Sequence, residues 1–191
     1  MKTKIALSIA AAALIVGCSF KGDTISLGEY KPTYTADKKL ISGIQIDKFI
    51  DSRREKPLVA VIKDSSHETI KTIYATDDLG AWLSAAFSKE LSALSVRSKD
   101  GTPVVVSAQI VELYAEYTRN PTASKNLKLQ AHIEMTMSKN GNSLKKDYFL
   151  KEERYAALLS QSSELTPHIQ DILSQMASSM SKDVVSWSAG R

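Results

Sequence analysis

The sequence contains very little cysteine, with Cys18 the single one among 191 residues. One cysteine excludes a disulfide within the chain and a metal site built from paired cysteines. The sequence also lacks a glycine-rich phosphate loop, a dinucleotide fingerprint and a nucleophile-elbow motif. Its lysines and arginines are scattered rather than clustered, which argues against a nucleic-acid-binding surface. These absences remove several classes of enzyme and binding protein from consideration.

Long hydrophobic runs are also scarce, and the apolar run 5–16 near the N-terminus stands out. It follows Lys2 and Lys4, and it is shorter than the roughly 20 residues that span a bilayer. Its length is typical of the hydrophobic region of a signal peptide. The run leads into Gly17 and Cys18, an arrangement that resembles the lipobox of bacterial lipoproteins. The alternative is an ordinary secretory signal in which the position of the cysteine is a coincidence.

The resemblance to a lipobox implies a defined processing of the chain. In lipoproteins the cysteine sulfur receives a diacylglyceryl group, the chain is cut before that cysteine, and the new amine is acylated, commonly with palmitate. One acyl chain binds a membrane only marginally, whereas two or three make a durable anchor. Ser19 follows Cys18. In Gram-negative bacteria a serine at that position implies transport to the outer membrane, with the folded part in the periplasm.

A leader, a linker and one domain account for the length of the chain. We predict a signal peptide at 1–17, the lipid-anchored cysteine with a tether at 18–42, and one periplasmic domain at 43–191. The tether carries Gly, Pro, Thr and Lys without sustained periodicity, which is typical of a flexible linker. Tyr30 and Tyr34 are the side chains by which part of the tether would pack on the domain.

Alternating and continuous apolar patterns predict six strands. They are expected at 44–50, 58–62, 69–75, 104–117, 127–137 and 144–155. The apolar phase of the long strand 104–117 changes near Glu112, which predicts a bulge or a sharp twist. Asn140 and Gly141, between the last two strands, predict a hairpin turn.

Two further segments have apolar side chains at helical spacing. The first begins at Thr76, with Asp77 and Asp78 near its positive N-terminus, and the second extends from Thr166 to Trp187. Both helices must bury their apolar stripes, and the sheet offers one apolar face. We therefore predict an α+β fold, a two-layer sandwich of a mostly antiparallel sheet with two amphipathic helices on one face.

The order of these elements, with four sequence segments, resembles the YajG family of bacterial outer-membrane lipoproteins. The segments are 78–83, 109–116, 131–134 and 140–148. They are fold motifs rather than chemical ones, so the resemblance implies a location and an architecture and names no activity. The layout is also similar to that of periplasmic auxiliary lipoproteins of lipid and lipopolysaccharide transport, an analogy of topology only.

The histidines give little indication of chemistry. His132 and Glu134 share one face of a strand at a spacing compatible with a metal pair, but the sequence indicates no third ligand. Asp64, Ser66 and His67 have the residue types of a hydrolytic triad. A triad is a geometric arrangement rather than a run of neighbours, so a loop turn is the favoured interpretation there. His168, in the first turn of a helix, is expected to be a neutral surface residue.

Two other features have both a structural and a functional interpretation. Arg53 and Arg54 follow Asp51 closely, so they either bind a phosphate or carboxylate ligand or, as we favour, form a local ion pair in a loop. Met176 and Met180 either line a groove for an apolar ligand or, more simply, belong to the core of a helix.

The favoured function is that of a non-enzymatic accessory protein of an envelope complex. The lipid anchor, the tether and the lack of a catalytic constellation motivate it, and the edge strand near 44–50 or outward residues such as Gln130 and Glu134 would contact the partner. The partner is an envelope protein of unknown identity, not a nucleic acid. The alternative is a module that binds or carries a lipid or glycolipid. We assign Cys18 as the lipidation site and assign no catalytic residue, cofactor or metal.

Overall fold

A computed structural model describes residues 22–31, 43–94, 101–120, 122 and 124–189 of the chain. The strands are β1 (Gly22–Ile25), β2 (Ile44–Asp51), β3 (Leu58–Lys63), β4 (Thr69–Ala75), β5 (Val104–Thr118), β6 (Leu127–Lys139) and β7 (Asn142–Arg154). The helices are α1 (Leu79–Leu94), a short 3-10 helix (Ser162–Leu165) and α2 (Thr166–Ser188). All six predicted strands and both predicted helices are present, and β1 is an addition to them.

The seven strands form one mixed sheet in the order β1-β4-β3-β5-β6-β7, with β2 also paired to β5. β6 is antiparallel to both β5 and β7. On the other side β1 is parallel to β4, and β2 and β3 are both parallel to β5, while β3 and β4 are antiparallel. The α+β class is correct, but the prediction of a mostly antiparallel sheet is wrong for this half. A parallel pair needs a long crossover, and the connection through α1 provides it.

The first helix begins at Leu79, later than predicted, because Asp78 rather than Thr76 caps it. The Asp78 carboxylate accepts the amide N–H of Ala81 at 3.0 Å, a typical N-cap bond. Gly80, in the first turn, lies against β2, where a Cβ on this residue would lie 2.7 Å from the carbonyl oxygen of Phe49. The absence of a side chain therefore lets α1 approach β2 closely.

The hydrophobic core lies between the helices and alternate residues of the long strands. α1 contacts β2 and β5, α2 contacts β5, β6 and β7, and the two helices contact each other. On β6 the buried residues are Leu127, Leu129, Ala131, Ile133, Met135 and Met137. On β5 the buried phase changes between Ile110 and Leu113, because the register with β6 shifts between Ile110 and Glu112. The predicted bulge is confirmed.

Residues 22–31 belong to the folded domain, so the prediction that all of 18–42 is a tether is wrong for this segment. β1 adds a strand beside β4, and Leu27 and Tyr30 are 1% and 4% exposed. The Asp77 carboxylate accepts the amide N–H of Leu27 at 2.6 Å. A strand of four residues is too short to show a period of two in the sequence, which is why the pattern indicated a linker. The other residues of the predicted tether lie outside the described ranges.

Candidate functional site

The face of the sheet opposite the core carries a set of polar side chains. Because side chains alternate along a strand, the residues between the buried positions of β5 and β6 point to this second face. We call it the polar sheet face. It comprises Gln109, Glu112, Tyr114 and Glu116 on β5, Lys128, Gln130, His132, Glu134 and Thr136 on β6, and Lys145, Asp147 and Phe149 on β7. It is the candidate site because it concentrates titratable groups that are not needed to fill the core.

Glu134 is at the centre of one hydrogen-bonded group on this face. Its Oε2 atom accepts a hydrogen bond from Gln109 Nε2 at 2.7 Å and lies 2.6 Å from Lys145 Nζ. The hydrogen bond from Lys145, and then that from Gln109, holds the pKa of the Glu134 carboxyl below its usual range. The bond to Glu134 raises the pKa of Lys145 in turn. Both groups are therefore charged at neutral pH, and together with Gln109 they link β5, β6 and β7.

Glu116 is at the centre of a second group. Its Oε2 atom lies 2.7 Å from Lys63 Nζ and accepts a hydrogen bond from the Tyr114 hydroxyl at 3.4 Å, and Lys128 Nζ lies 3.7 Å from Oε1. Burial acts to raise the pKa of Glu116, but the hydrogen bond and charge of Lys63 outweigh it and leave this pKa below its usual range. Burial, and then the Glu116 carboxylate, raises the pKa of Tyr114, which keeps its hydroxyl protonated as a donor.

His132 joins a third group, in which the structure corrects the sequence-based expectation. Its Nε2 atom lies 3.0 Å from Asp147 Oδ1, and its ring stacks on Phe149 with centroids 3.9 Å apart. The sequence indicated no third ligand beside His132 and Glu134, but Asp147 offers a third candidate ligand atom, since such atoms of all three residues lie within 4.8 Å of one another. The Lys145 ammonium group already binds Glu134, so a cation would have to displace it. The arrangement is an ion-pair network rather than a preformed metal site.

The hairpin between β6 and β7 explains why Asp147 lies opposite Glu134. Asn140 and Gly141 have φ values of 51° and 78°, the left-handed pair typical of a two-residue type I′ turn. The strand pairs beyond this turn keep their register without interruption as far as Glu134 and Asp147. The predicted turn is confirmed. The turn could have located Asp147 from the sequence, because counting residue pairs outward from the turn places Asp147 opposite Glu134.

A groove crosses the polar sheet face next to β2, and we call it the sheet-face groove. Its volume is about 380 Å³. Its lining residues are Asp47, Lys48, Ile50, Ser107, Ala108, Gln109, Glu134, Thr136 and Lys145. The pairing of β2 with β5 shifts between Ile46 and Phe49, and the intervening Asp47 and Lys48 are exposed at the rim. Charges of both signs therefore face the groove, which suits a polar peptide segment.

The candidate anion site at Arg53 is a closed ion pair. Arg53 Nη2 lies 2.8 Å from Asp51 Oδ2, and the two side chains are 6% and 9% exposed. Its guanidinium also donates to the carbonyl oxygens of Leu58 at 2.6 Å, of Leu113 at 3.1 Å and of Lys56. With Nε bonded to Asp51 Oδ1, all five N–H donors of the group are used. The interpretation as a local ion pair is confirmed.

The other two histidines lie in structural positions. Asp64 Oδ1 accepts the amide N–H groups of Ser66 at 2.8 Å and of Glu68 at 3.0 Å, and His67 has a φ of 65°. The predicted turn is confirmed, and the Asp64 carboxylate is engaged by the backbone rather than by a histidine. His168 is half-buried on α2 rather than on the surface. Burial, and then a nearby arginine, lowers its pKa, so it is neutral at pH 7.

Three further expectations concern the core and the membrane. Met176 and Met180 are 3% and 0% exposed, which confirms that they belong to the helix core. Cys18, the predicted lipidation site, and the predicted leader 1–17 lie outside the described residues. Among the described helices, none combines the length and the apolar character needed to cross a membrane.

The fold defines an α+β protein with a seven-stranded mixed sheet and two α-helices, and the sheet face away from the core carries ion pairs. Residues 44–184 match a protein family described as uncharacterized lipoprotein, and the chain belongs to that family. Two relatives carry the name uncharacterized lipoprotein YajG, one from Escherichia coli strain K12 and one from E. coli O6:H1 strain CFT073. Each is 24% identical over 187 residues, which covers 96% of this chain and 94% of the relative. The resemblance to the YajG family is thus confirmed.

A solved structure shares the fold at very low sequence identity. The crystal structure of protein XCC0632 from Xanthomonas campestris superposes with a TM-score of 0.52 and 5% identity, covering 82% of this chain and 91% of that one. At this level of identity the similarity concerns the fold alone.

Proposed function

We propose that this envelope lipoprotein is a non-enzymatic accessory component of an envelope complex, anchored to the outer membrane through lipid on Cys18. Its domain faces the periplasm. In this proposal the two helices cover one face of the sheet in a two-layer arrangement, and the polar sheet face receives the partner, an envelope protein.

The sheet-face groove is the observation that carries this proposal. Its side chains are ordered before any partner arrives, since Gln109, Glu134 and Lys145 already bond to one another. A surface that is held in place in this way loses little conformational entropy when a partner binds. Charges of both signs favour specificity and a correct register over raw affinity, which is what an accessory subunit of a complex requires.

The edge of β2 adds a backbone component to the same surface. Within the described residues β2 pairs only with β5. Because α1 lies against the β2 backbone at residues 49–51, an extended segment would bind along residues 44–48. A peptide added there would form main-chain hydrogen bonds and place its alternate side chains toward the groove. The predicted edge strand near 44–50 therefore lies beside the outward residues that we expect to contact the partner.

The alternative, a lipid or glycolipid carrier, has weaker support. It requires Met and aromatic side chains around an apolar cavity between helices and sheet. Met180 and Phe87 are each 0% exposed and belong to the core, as does Trp82 at 7%. All three side chains belong to one buried hydrophobic cluster, so the argument for a carrier rests on residue type alone.

Crosslinking in living cells tests the accessory role. A photoreactive amino acid in place of Thr136, in the groove, is expected to capture a discrete envelope protein from the full-length lipoprotein. The same residue in place of Ser65, in the exposed turn after β3, is the control. Glu134→Gln and Gln130→Ala should lower the yield of the Thr136 adduct, while Glu68→Gln, an exposed glutamate outside the face, should not.

Two results would contradict the proposal. Equal adduct patterns at positions 136 and 65 would show that the groove has no specific partner. Capture of lipid or glycan alone from position 136 would favour the carrier alternative. Resistance of each variant to added protease, compared with the unmodified chain, separates loss of binding from loss of folding.

A further inference from the structure

The strand β7 is an open edge of the sheet. Within the described residues it pairs with β6 alone over its 13 residues. About half of its backbone N–H and C=O groups therefore point away from the sheet, and an edge of this length is a template for another strand. Phe149 lies in the middle of this strand and is 72% exposed. A second strand paired along this edge would cover part of the Phe149 side chain.

The charges along β7 are complementary to those of a second, antiparallel copy of the same strand. When Phe149 of one copy faces Phe149 of the other, every charged residue from 145 to 153 faces a residue of opposite charge. The facing pairs are Lys145–Glu153, Lys146–Glu152, Asp147–Lys151 and Tyr148–Leu150. Each pair occurs twice because a two-fold axis passes through the Phe149 position, which is the property of an isologous interface.

Other registers place like charges opposite each other. A slip of one residue brings Lys146 opposite Lys151 in one direction, and Asp147 opposite Glu152 in the other. A slip of two residues brings Lys145 opposite Lys151, or Asp147 opposite Glu153. Like charges directly opposite each other destabilise a strand pair. The sequence of β7 therefore favours one register over its four nearest alternatives.

Two exposed charged residues of β7 have no ion-pair partner among the described residues. They are Lys151 and Glu153. The symmetric register pairs both of them, with Asp147 and Lys145 of the other copy. These two already bind His132 and Glu134 within their own sheet, so the second copy would extend the existing ion-pair network across the interface.

We propose that the chain forms a two-fold dimer in which the β7 strands of two copies pair antiparallel about Phe149. The paired residues share a face, so the helices of both copies lie on the same side of the joined sheet. α2 lies mainly over β6, and the two β6 strands would be three strand spacings apart, about 14 Å. A helix with its side chains is about 10–12 Å across. Both copies of α2 therefore fit side by side.

A cysteine crosslink on the full-length protein in intact cells tests this dimer. The sulfur of Cys18, the natural cysteine, is expected to carry lipid, so an introduced cysteine supplies the single thiol that can react with the crosslinker. With a short bis-maleimide, Phe149→Cys is expected to give a product of twice the monomer mass. Ser143→Cys on the same strand is the control. In the proposed register its two copies lie 12 residues apart along the strand, about 40 Å, so no such product is expected.

A charge exchange supplies the second arm of the test. Lys151→Glu, introduced with Phe149→Cys, places a glutamate opposite Asp147 of the other copy, and we expect the crosslinked dimer to fall about fivefold or more. Adding Asp147→Lys restores an opposite pair and should recover the dimer. Lys182→Glu, the same charge change on an exposed residue of α2, should leave the yield unchanged.

Three results would overturn the dimer. One is a Phe149→Cys product no stronger than that of Ser143→Cys. Another is failure of the double charge exchange to recover what Lys151→Glu removes, when both variants accumulate to the normal level. A third is a Phe149→Cys adduct to a different protein in place of the product of twice the mass, because β7 would then pair with another partner.

Discussion

The Arg53 guanidinium and the Asp51 carboxylate form an ion pair of 2.8 Å at the point where β2 ends. β2 and β3 both run parallel to β5, the first along residues 104–110 and the second along 115–118. Arg53 donates to the Leu113 carbonyl between these two stretches. Between residues 110 and 115, where neither β2 nor β3 pairs with β5, the Arg53 guanidinium supplies a hydrogen bond to β5. Through Asp51, Leu58 and Leu113 it connects β2, β3 and β5.

Loss of Arg53 should destabilise the domain strongly. Arg53→Met leaves the buried Asp51 carboxylate and three carbonyl groups without this donor, and breaking a buried pair on one side costs about 3–5 kcal/mol. Arg54, its exposed neighbour, is the matched control, since Arg54→Met should change the free energy of unfolding by less than about 0.5 kcal/mol. Urea unfolding followed by circular dichroism measures both. Equal effects of the two substitutions would contradict the structural role given to Arg53.

Gly80→Ala should destabilise the protein although alanine favours a helix. The change gains about 1 kcal/mol of helix propensity, but the new methyl group would lie 2.7 Å from the backbone oxygen of Phe49. Separating α1 from β2 to relieve this overlap costs about 1–3 kcal/mol, so a net loss of about 1 kcal/mol is expected in thermal unfolding. Ser84→Ala, half-buried on the same helix, is the control and should be neutral within about 0.5 kcal/mol. A more stable Gly80→Ala protein would show that this contact is not tight.

The Glu116 carboxylate should make the free energy of unfolding of the domain fall at acidic pH. Its pKa in the folded protein lies below its usual value of 4.5, so the unfolded chain binds the proton more readily. The contribution is thus fully present above about pH 4.5 and is lost as the pH falls through the lowered pKa of the folded state. We expect the loss to be about 1 kcal/mol or less, as for other partly exposed pairs.

The Glu116→Gln variant measures the pH-dependent contribution of this carboxylate to stability. Urea midpoints at pH 7 and pH 3 should differ less in the variant than in the unmodified protein, because the titrating group is absent. Glu68→Gln, exposed outside the polar sheet face, should leave the difference between the two pH values unchanged. An unchanged difference in Glu116→Gln would exclude this carboxylate as a source of acid sensitivity.

Asp77 should control the attachment of residues 22–31. Its carboxylate accepts the amide N–H of Leu27 at 2.6 Å and the hydroxyl of Ser26 at 3.2 Å. Asp77→Ala leaves the Leu27 amide without that acceptor, at a cost of about 1–3 kcal/mol. Faster amide hydrogen exchange is expected in 22–31 and not in β6. Asp47→Ala, at an exposed position, is the control, and unaltered exchange in Asp77→Ala would contradict this attachment.

Local patterns predicted the elements that obey them. The alternation in β6, the turn residues Asn140 and Gly141, and the phase change near Glu112 are each properties of neighbouring residues, and the structure agrees with all three. The parallel pairing of β2 and β3 with β5 has no such signature, because it depends on where the crossover through α1 returns the chain. β1 was missed for a related reason, since its four residues are stabilised by β4 rather than by their own pattern.

The residues of the candidate site likewise fall into those that local sequence patterns indicate and those that the fold brings together. The sequence pointed to His132 and Glu134 because they share one face of a strand, and Asp147 follows from the register of the hairpin. Lys63 reaches Glu116 only because β3 pairs with the far end of β5. Asp47 and Lys48 reach the groove only because β2 bulges between Ile46 and Phe49.

Six of the strands, both α-helices, the hairpin register, the family and the self-complementary charges of β7 follow from the sequence, because each is encoded in residues close together in the chain. Which charges meet, the burial of Arg53 and the inclusion of residues 22–31 in the domain follow from the folded structure alone. These features depend on contacts between residues about 50 or 60 positions apart, such as Leu27 with Asp77 and Arg53 with Leu113. Periodicity describes neighbours in the chain and carries no information about such pairs.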